Sequence, residues 1–229
     1  MAGGSRKIRL WDPLLRGFHW SLAFFVTLSW CLGQFGPAKM TLHFWSGYVI
    51  AGLLIFRLIW GFVGPAPARF AHFLRGPGAI RDYAGHMLMR RPSHWPGHNP
   101  LGALSVIAML AALATQVTTG LISDPDDYIN VGPLAKHVSA ATRSAAVGWH
   151  ELGANLILIL VLMHLGVILF YRHWKHEDLI TPMLTGIKEI PEDAAIRGGF
   201  VPGERVDPAI ASSDMFRHIQ TRDMSMVVD

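Results

Sequence analysis

Residues 149–171 read WHELGANLILILVLMHLGVILFY, and this stretch decides the fold. Past Glu151 it holds no charged residue. A helix of this length covers the roughly 30 Å of a bilayer's hydrocarbon core at about 1.5 Å per residue. A membrane-spanning helix is expected here. His150 and His164 stand 14 positions apart on it. At 3.6 residues per turn that is about 3.9 turns and about 21 Å, so both rings leave nearly the same face, near opposite surfaces. Titratable groups inside spans are rare and point to function.

Three more stretches reach the required length: residues 18–35, 42–63 and 101–122. Asp12 fits a helix N-cap and Pro13 the first helical position, so the first helix is expected to begin near Pro13 and carry Arg16 on its early turns. The second contains one charge, Arg57, and the third none. Composition agrees: 51% of residues are hydrophobic and 16% charged, against about a quarter charged in soluble domains, and mean hydropathy is +0.32. The expected architecture is all-α, an integral membrane four-helix bundle over residues 1–189, with a polar, loosely ordered cytoplasmic tail over 190–229. Short helices are also expected at 78–90, along the membrane surface, and at 134–146, amphipathic and on the outer surface.

Loop charge orients the spans. Arg6, Lys7 and Arg9 precede the first. Arg69, Arg75, Arg81, Arg90 and Arg91 lie between the second and third, and Arg172, Lys175 and Lys188 follow the fourth. The other two connections are poor in base or balanced by Asp124, Asp126 and Asp127. All the basic segments fall on one side, so both termini are expected in the cytoplasm of a bacterium, with the chain in its inner membrane. No cleavable signal is read at the N-terminus, because no small-residue cleavage site closes a short apolar region. The net charge of +4 belongs to this topology; no aromatic-basic module points to nucleic acid. The one cysteine, Cys31, excludes an intramolecular disulfide and a cysteine-built zinc or iron–sulfur site, and is expected to be a small buried apolar residue.

Twelve histidines are present, four of them in or at the spans: His19, His43, His150 and His164. Alternating helix direction sets His19 at the depth of His164 on the inner side. It sets His43 at the depth of His150 on the outer side. Two imidazoles facing each other across a bundle are the axial ligands of a six-coordinate haem iron. Two such pairs, stacked across the membrane, predict two non-covalent haem b groups, since no Cys-x-x-Cys-His motif exists. Gly47, one turn after His43, and Gly153 and Gly166 either make room for a flat macrocycle or serve close helix packing. Arg57 and Arg16 either bind haem propionates or reach toward lipid headgroups. The remaining histidines, His72, His86, His94, His98, His137, His173, His176 and His218, lack partners at matching depth and are expected to be solvated or interfacial.

An ordered set of local sequences carries a further reading. Leu10-Trp11-Asp12-Pro13 runs into Phe18-His19-Trp20; Leu42-His43 precedes Gly47; then come Phe56-Arg57-Leu58-Ile59-Trp60-Gly61-Phe62, Gly97-His98-Asn99-Pro100-Leu101-Gly102, Trp149-His150-Glu151, and His164 through Pro182-Met183-Leu184-Thr185-Gly186. Over roughly residues 6–190 the chain resembles the prokaryotic cytochrome b561 family, including the related cytochrome b subunits of nickel–iron hydrogenases. The resemblance implies four transmembrane helices, two haem b groups, a third helix without iron ligands, and a quinone as one redox partner. It leaves the other partner open: a hydrogenase or other dehydrogenase for which this chain is the membrane anchor, a periplasmic cytochrome c, or superoxide. The expectation is electron transfer between a periplasmic redox partner and the quinone pool, with a superoxide:quinone oxidoreductase as the alternative. Lys136 and Arg143 would guide that anion, and the neighbouring aspartates oppose it.

Overall fold

The computed structural model describes residues 5–90, 92, 95 and 97–191. The readings above that concern Arg91, His94, His218 and the looseness of the tail past Pro191 lie outside the described residues.

Each long helix starts where local chemistry starts it. Helix α1 (Pro13–Phe35) has Asp12 as N-cap, its Oδ1 accepting from Leu15 N at 3.0 Å, with Pro13 first in the helix. It ends at Gly36. Helix α2 (Thr41–Val63) follows a tight connection. Between α2 and the next long helix lie a 3₁₀ turn (Ala66–Ala68), α3 (Phe70–Phe73) and α4 (Pro77–His86). The expected helix at 78–90 is thus shorter, and another turn precedes it. Helix α5 (Pro100–Ile122) is capped by Asn99, whose Oδ1 accepts from Gly102 N at 2.8 Å. Helix α6 (Ala140–His173) is capped by Ser139 and runs 34 residues, about 51 Å. The separate helix expected at 134–146 does not exist. Residues Ala135–His137 form one 3₁₀ turn, and from Ala140 onward that segment is the beginning of α6.

Helices α2, α5 and α6 are long and apolar enough to cross a membrane. Helix α1 matches α2 and α5 in length, but His19, Ser21, Thr27, Ser29 and Gln34 dilute its apolar character. Helix α1 packs on α2 and α5 on α6, and α2 joins the two hairpins through α5. Ile50, Leu54, Leu113 and Ile157 form the mid-bundle core. Large apolar side chains such as Phe24, Ile59, Ile159 and Leu165 face outward, as a lipid solvent requires. Cys31 is also on that outward face, not buried as expected. Burial of small apolar groups has no driving force where the surroundings are as apolar as the core.

One end of the bundle is closed by an assembly not foreseen from the sequence. Strand β1 (Ser5–Arg9) pairs antiparallel with β2 (Ile187–Pro191), Arg9 opposite Ile187 and Ser5 opposite Pro191. The strand crosses the boundary drawn at residue 190. Before β2, α7 (Ile180–Thr185) ends at Gly186, whose φ of 84° is the left-handed C-cap conformation that glycine adopts without steric cost. Gly186 O accepts from Leu10 N at 2.7 Å and Trp11 N at 3.3 Å, which ties this cap to the chain entering α1. Lys188, counted above as a topological charge, is buried: its Nζ lies 2.7 Å from Glu177 Oε1 and donates to Trp95 O at 2.7 Å. Tyr83 and Tyr171 share a hydroxyl–hydroxyl hydrogen bond, and Asn99 Nδ2 donates to Tyr171 Oη at 2.9 Å. This is the sheet end of the bundle. The opposite, loop end holds the α1–α2 turn and residues 123–139. There Asn130 donates to Ala38 O at 2.8 Å and accepts from Met40 N at 3.0 Å.

Candidate functional site

Helix α6 presents His150 and His164 to two different partners. The His164 ring lies 6.4 Å, centroid to centroid, from His19 of α1, with planes at 50°. The His150 ring lies 6.0 Å from His43 of α2, with planes at 79°. All four side chains are half-buried. The first pair sits at the sheet end and the second at the loop end, so the structure brings together the residues that share a depth.

Those separations can be tested against a metal between the rings. A metal–imidazole bond is about 2 Å, and each nitrogen is about 1.2 Å from its ring centre, so two ligands on opposite sides of one metal put their centroids about 6.4 Å apart. Both pairs match. Among the described residues no group of three or more His, Cys, Asp or Glu side chains converges to hold a bare ion. Two protein ligands suit a metal that arrives with its own ring of donors.

The loop-end pair is also oriented. His43 Nδ1 is 2.9 Å from Ser29 O and His150 Nδ1 is 3.0 Å from Gln116 O. A carbonyl can only accept, so each Nδ1 carries a proton, and Nε2 is the nitrogen left to meet a metal. Gln116 Nε2 donates back to His150 O at 2.9 Å, locking α5 to α6. The sequence reading missed Ser29, Gln116 and Thr119, whose Oγ1 lies 3.3 Å from His150 Nδ1. The polar run Gln116, Thr118, Thr119 inside an apolar span was the available signal. Helix α5 contains no histidine, but it orients one.

At the sheet end His19 Nδ1 is buried without a hydrogen-bond partner. Arg57 is 3% exposed; its Nη2 donates to Ala68 O at 3.1 Å, its guanidinium lies 4.6 Å from the Phe70 ring centre, and its Nη1 is buried and unpartnered. Arg16 donates through Nη1 to Leu184 O at 2.5 Å, and its Nε is buried and unpartnered. His98 was expected to be solvated or interfacial. Instead its ring lies between Trp11, 4.9 Å away, and Phe73, 5.0 Å away, with Nδ1 sealed from solvent. Burial, then the charges of Arg57, His164 and His19, push it down to about 4, so it is a neutral imidazole at pH 7. The signal for it was Asn99-Pro100, a helix start that plants His98 at the mouth of α5. His173 and His176 are exposed, as expected.

The glycines divide. A Cβ on Gly47 or Gly166 would meet nothing within 4 Å, but only Gly47, one turn from His43, leaves space beside a histidine; Gly166, two residues from His164, is exposed on the other side of α6. A Cβ on Gly153 would stand 2.1 Å from Gln116 Oε1, so Gly153 serves helix packing.

Residues 10–186 match the family described as prokaryotic cytochrome b561, and the chain belongs to that family. It is a membrane b-type cytochrome of electron transfer, and haem b is the cofactor of the class. Among its relatives is a probable Ni/Fe-hydrogenase B-type cytochrome subunit of Rhizobium leguminosarum bv. viciae, 23% identical over 219 residues, covering 79% of this chain and 88% of the relative.

Proposed function

We propose that the protein binds two haem b groups and carries electrons across the bacterial inner membrane between a periplasmic redox partner and the quinone pool. The observation that carries the proposal is the pair of facing imidazole sets, 6.4 Å and 6.0 Å between centroids, at opposite ends of one helix. His19 and His164 would hold one iron, His43 and His150 the other. Arg16 and Arg57 meet the propionates at the sheet end, and Gly47 leaves room beside His43. Haem supplies a reversible one-electron couple. The chain's own work is orientation and exclusion: Ser29 and Gln116 hold two imidazoles in the ligating tautomer, and the α7–β2 cap keeps water from the sheet end. Helix α1 spans the membrane with α2, α5 and α6, because its histidine must stand level with His164. The sheet end faces the cytoplasm, where the basic connections lie. The relative's description supports a hydrogenase-like enzyme as the donor, with this chain as its membrane subunit.

A second reading, superoxide:quinone oxidoreductase, has one observation in its favour. A cavity of about 60 Å³ lined by Leu32, Pro37, Lys39, Met40 and His43 reaches one histidine of the loop-end pair and has a cation, Lys39, on its wall.

The test is a pyridine haemochrome assay with a redox titration of the purified protein. Two haems per chain and two midpoint potentials are expected; one haem removes a pair. Reduction by superoxide in the absence of any partner protein favours the second reading.

A further inference from the structure

Among the described residues, five polar side-chain atoms at the sheet end are buried with no partner: Arg16 Nε, His19 Nδ1, Arg57 Nη1, Trp95 Nε1 and His98 Nδ1. Two of them share an aromatic neighbour. Phe73 lies 5.0 Å from His98 and 5.9 Å from the Arg57 guanidinium. Phe73 thus touches both, and His98 lies within electrostatic reach of Arg57, His164 and His19. Burying a cation without a counter-charge is costly, and so is burying a donor without an acceptor. Asp12 does not resolve this. Its carboxylate attracts Arg57 through space but makes no ion pair with it within 4 Å among the described residues, since Oδ1 accepts from Leu15 N and Oδ2 from Trp60 Nε1 at 3.3 Å. His98 is not a third metal ligand either, since no such triple converges among the described residues.

We propose that Arg57 and His98 form one clamp for a carboxylate, the anion being a propionate of the macrocycle held by His19 and His164. The clamp combines a guanidinium, which supplies charge, with a neutral imidazole, which donates one hydrogen bond through Nδ1. His98 is a positioning residue: it acts on the iron only through the carboxylate. The inference rests on the reading that the sheet-end pair holds a haem.

The test is potentiometric titration of purified wild type, His98→Phe, His98→Gln and Arg57→Lys, with haem content measured alongside. Removing a donor leaves more negative charge near the iron and favours its oxidised form. The midpoint potential of the component that His19→Ala abolishes is therefore expected to fall in His98→Phe, while the other stays fixed. His98→Gln, which keeps a donor, is expected to recover most of the shift. Where His98→Phe does not fold, the propionate-bending band in resonance Raman of wild type and Arg57→Lys reads the same hydrogen bonding, and an unmoved band overturns the clamp. Two haems with both potentials unchanged in His98→Phe also overturn it, while the haem assignment stands. A wild-type protein lacking the component tied to His19 overturns the assignment beneath it.

Discussion

Gly120 of α5 lies so close to His150 of α6 that a methyl group on it would stand 2.8 Å from the ring's Cε1 and 3.2 Å from Nδ1. The glycine is the floor on which the imidazole rests while its Nδ1 reaches Gln116 O. Gly120→Ala must push the ring off that carbonyl, and overpacking of this kind costs about 1–3 kcal/mol. The expected result is loss of the loop-end haem and retention of the other, read from difference spectra. Gly33→Ala is the control: its Cβ would meet His43 Cε1 at 3.4 Å, an ordinary contact, and both haems are expected to stay.

The two histidine pairs predict matched losses. His19→Ala and His164→Ala are expected to remove the same spectral component, and His43→Ala and His150→Ala the complementary one. A single imidazole holds a macrocycle weakly, so each half of a pair is as necessary as its partner. Loss of one common component in His19→Ala and His150→Ala contradicts the geometry, because those residues lie at opposite ends of the bundle.

Orientation is tested by reporter fusions. Fusions in α4 near Arg81 and beyond Pro191 are expected to read as cytoplasmic, and one near Asp127 as periplasmic. The reverse pattern exchanges the two faces and, with them, which pair meets the periplasmic partner.

The Glu177–Lys188 pair is buried, with 6% and 7% of the side chains exposed. Removing one partner leaves the other charge without compensation at a cost of about 3–5 kcal/mol. Glu177→Leu is expected to lower the thermal midpoint in detergent markedly, and Glu177→Leu with Lys188→Met to recover most of the loss. Equal midpoints for Glu177→Leu and wild type would show that the pair is hydrated in solution.

The helices were legible because their signals are local. Asp12-Pro13 marks the start of α1, and the 14-residue spacing of His150 and His164 sets one face of α6. The meeting of His19 with His164 and of His43 with His150 followed from helix direction alone. The supports were legible only in part: the polar run Gln116, Thr118, Thr119 marks a special stretch of α5, but the backbone carbonyls of Ser29 and Gln116 that take the bonds leave no trace in residue type. His98 was misread because its burial depends on Trp11 and Phe73, far from it in the chain. The strands were missed because SRKIR and IKEIP are short, and each becomes a strand only through the other. The 134–146 segment was misjudged because its polarity hid a helix that simply continues out of the membrane.

The β1–β2 pairing has a consequence for biosynthesis. Arg9 leaves the ribosome long before Ile187, its partner in the sheet. At roughly 5–20 residues per second, the first strand waits on the order of ten to forty seconds for the last. With the sheet end on the cytoplasmic side, as proposed above, His19 would be reachable from the side where translation occurs throughout that interval. The cap closes only after His164 has been made, since β2 follows it in the chain. For the haem proposed between His19 and His164, the order of synthesis would leave a loading window that the finished fold shuts behind it.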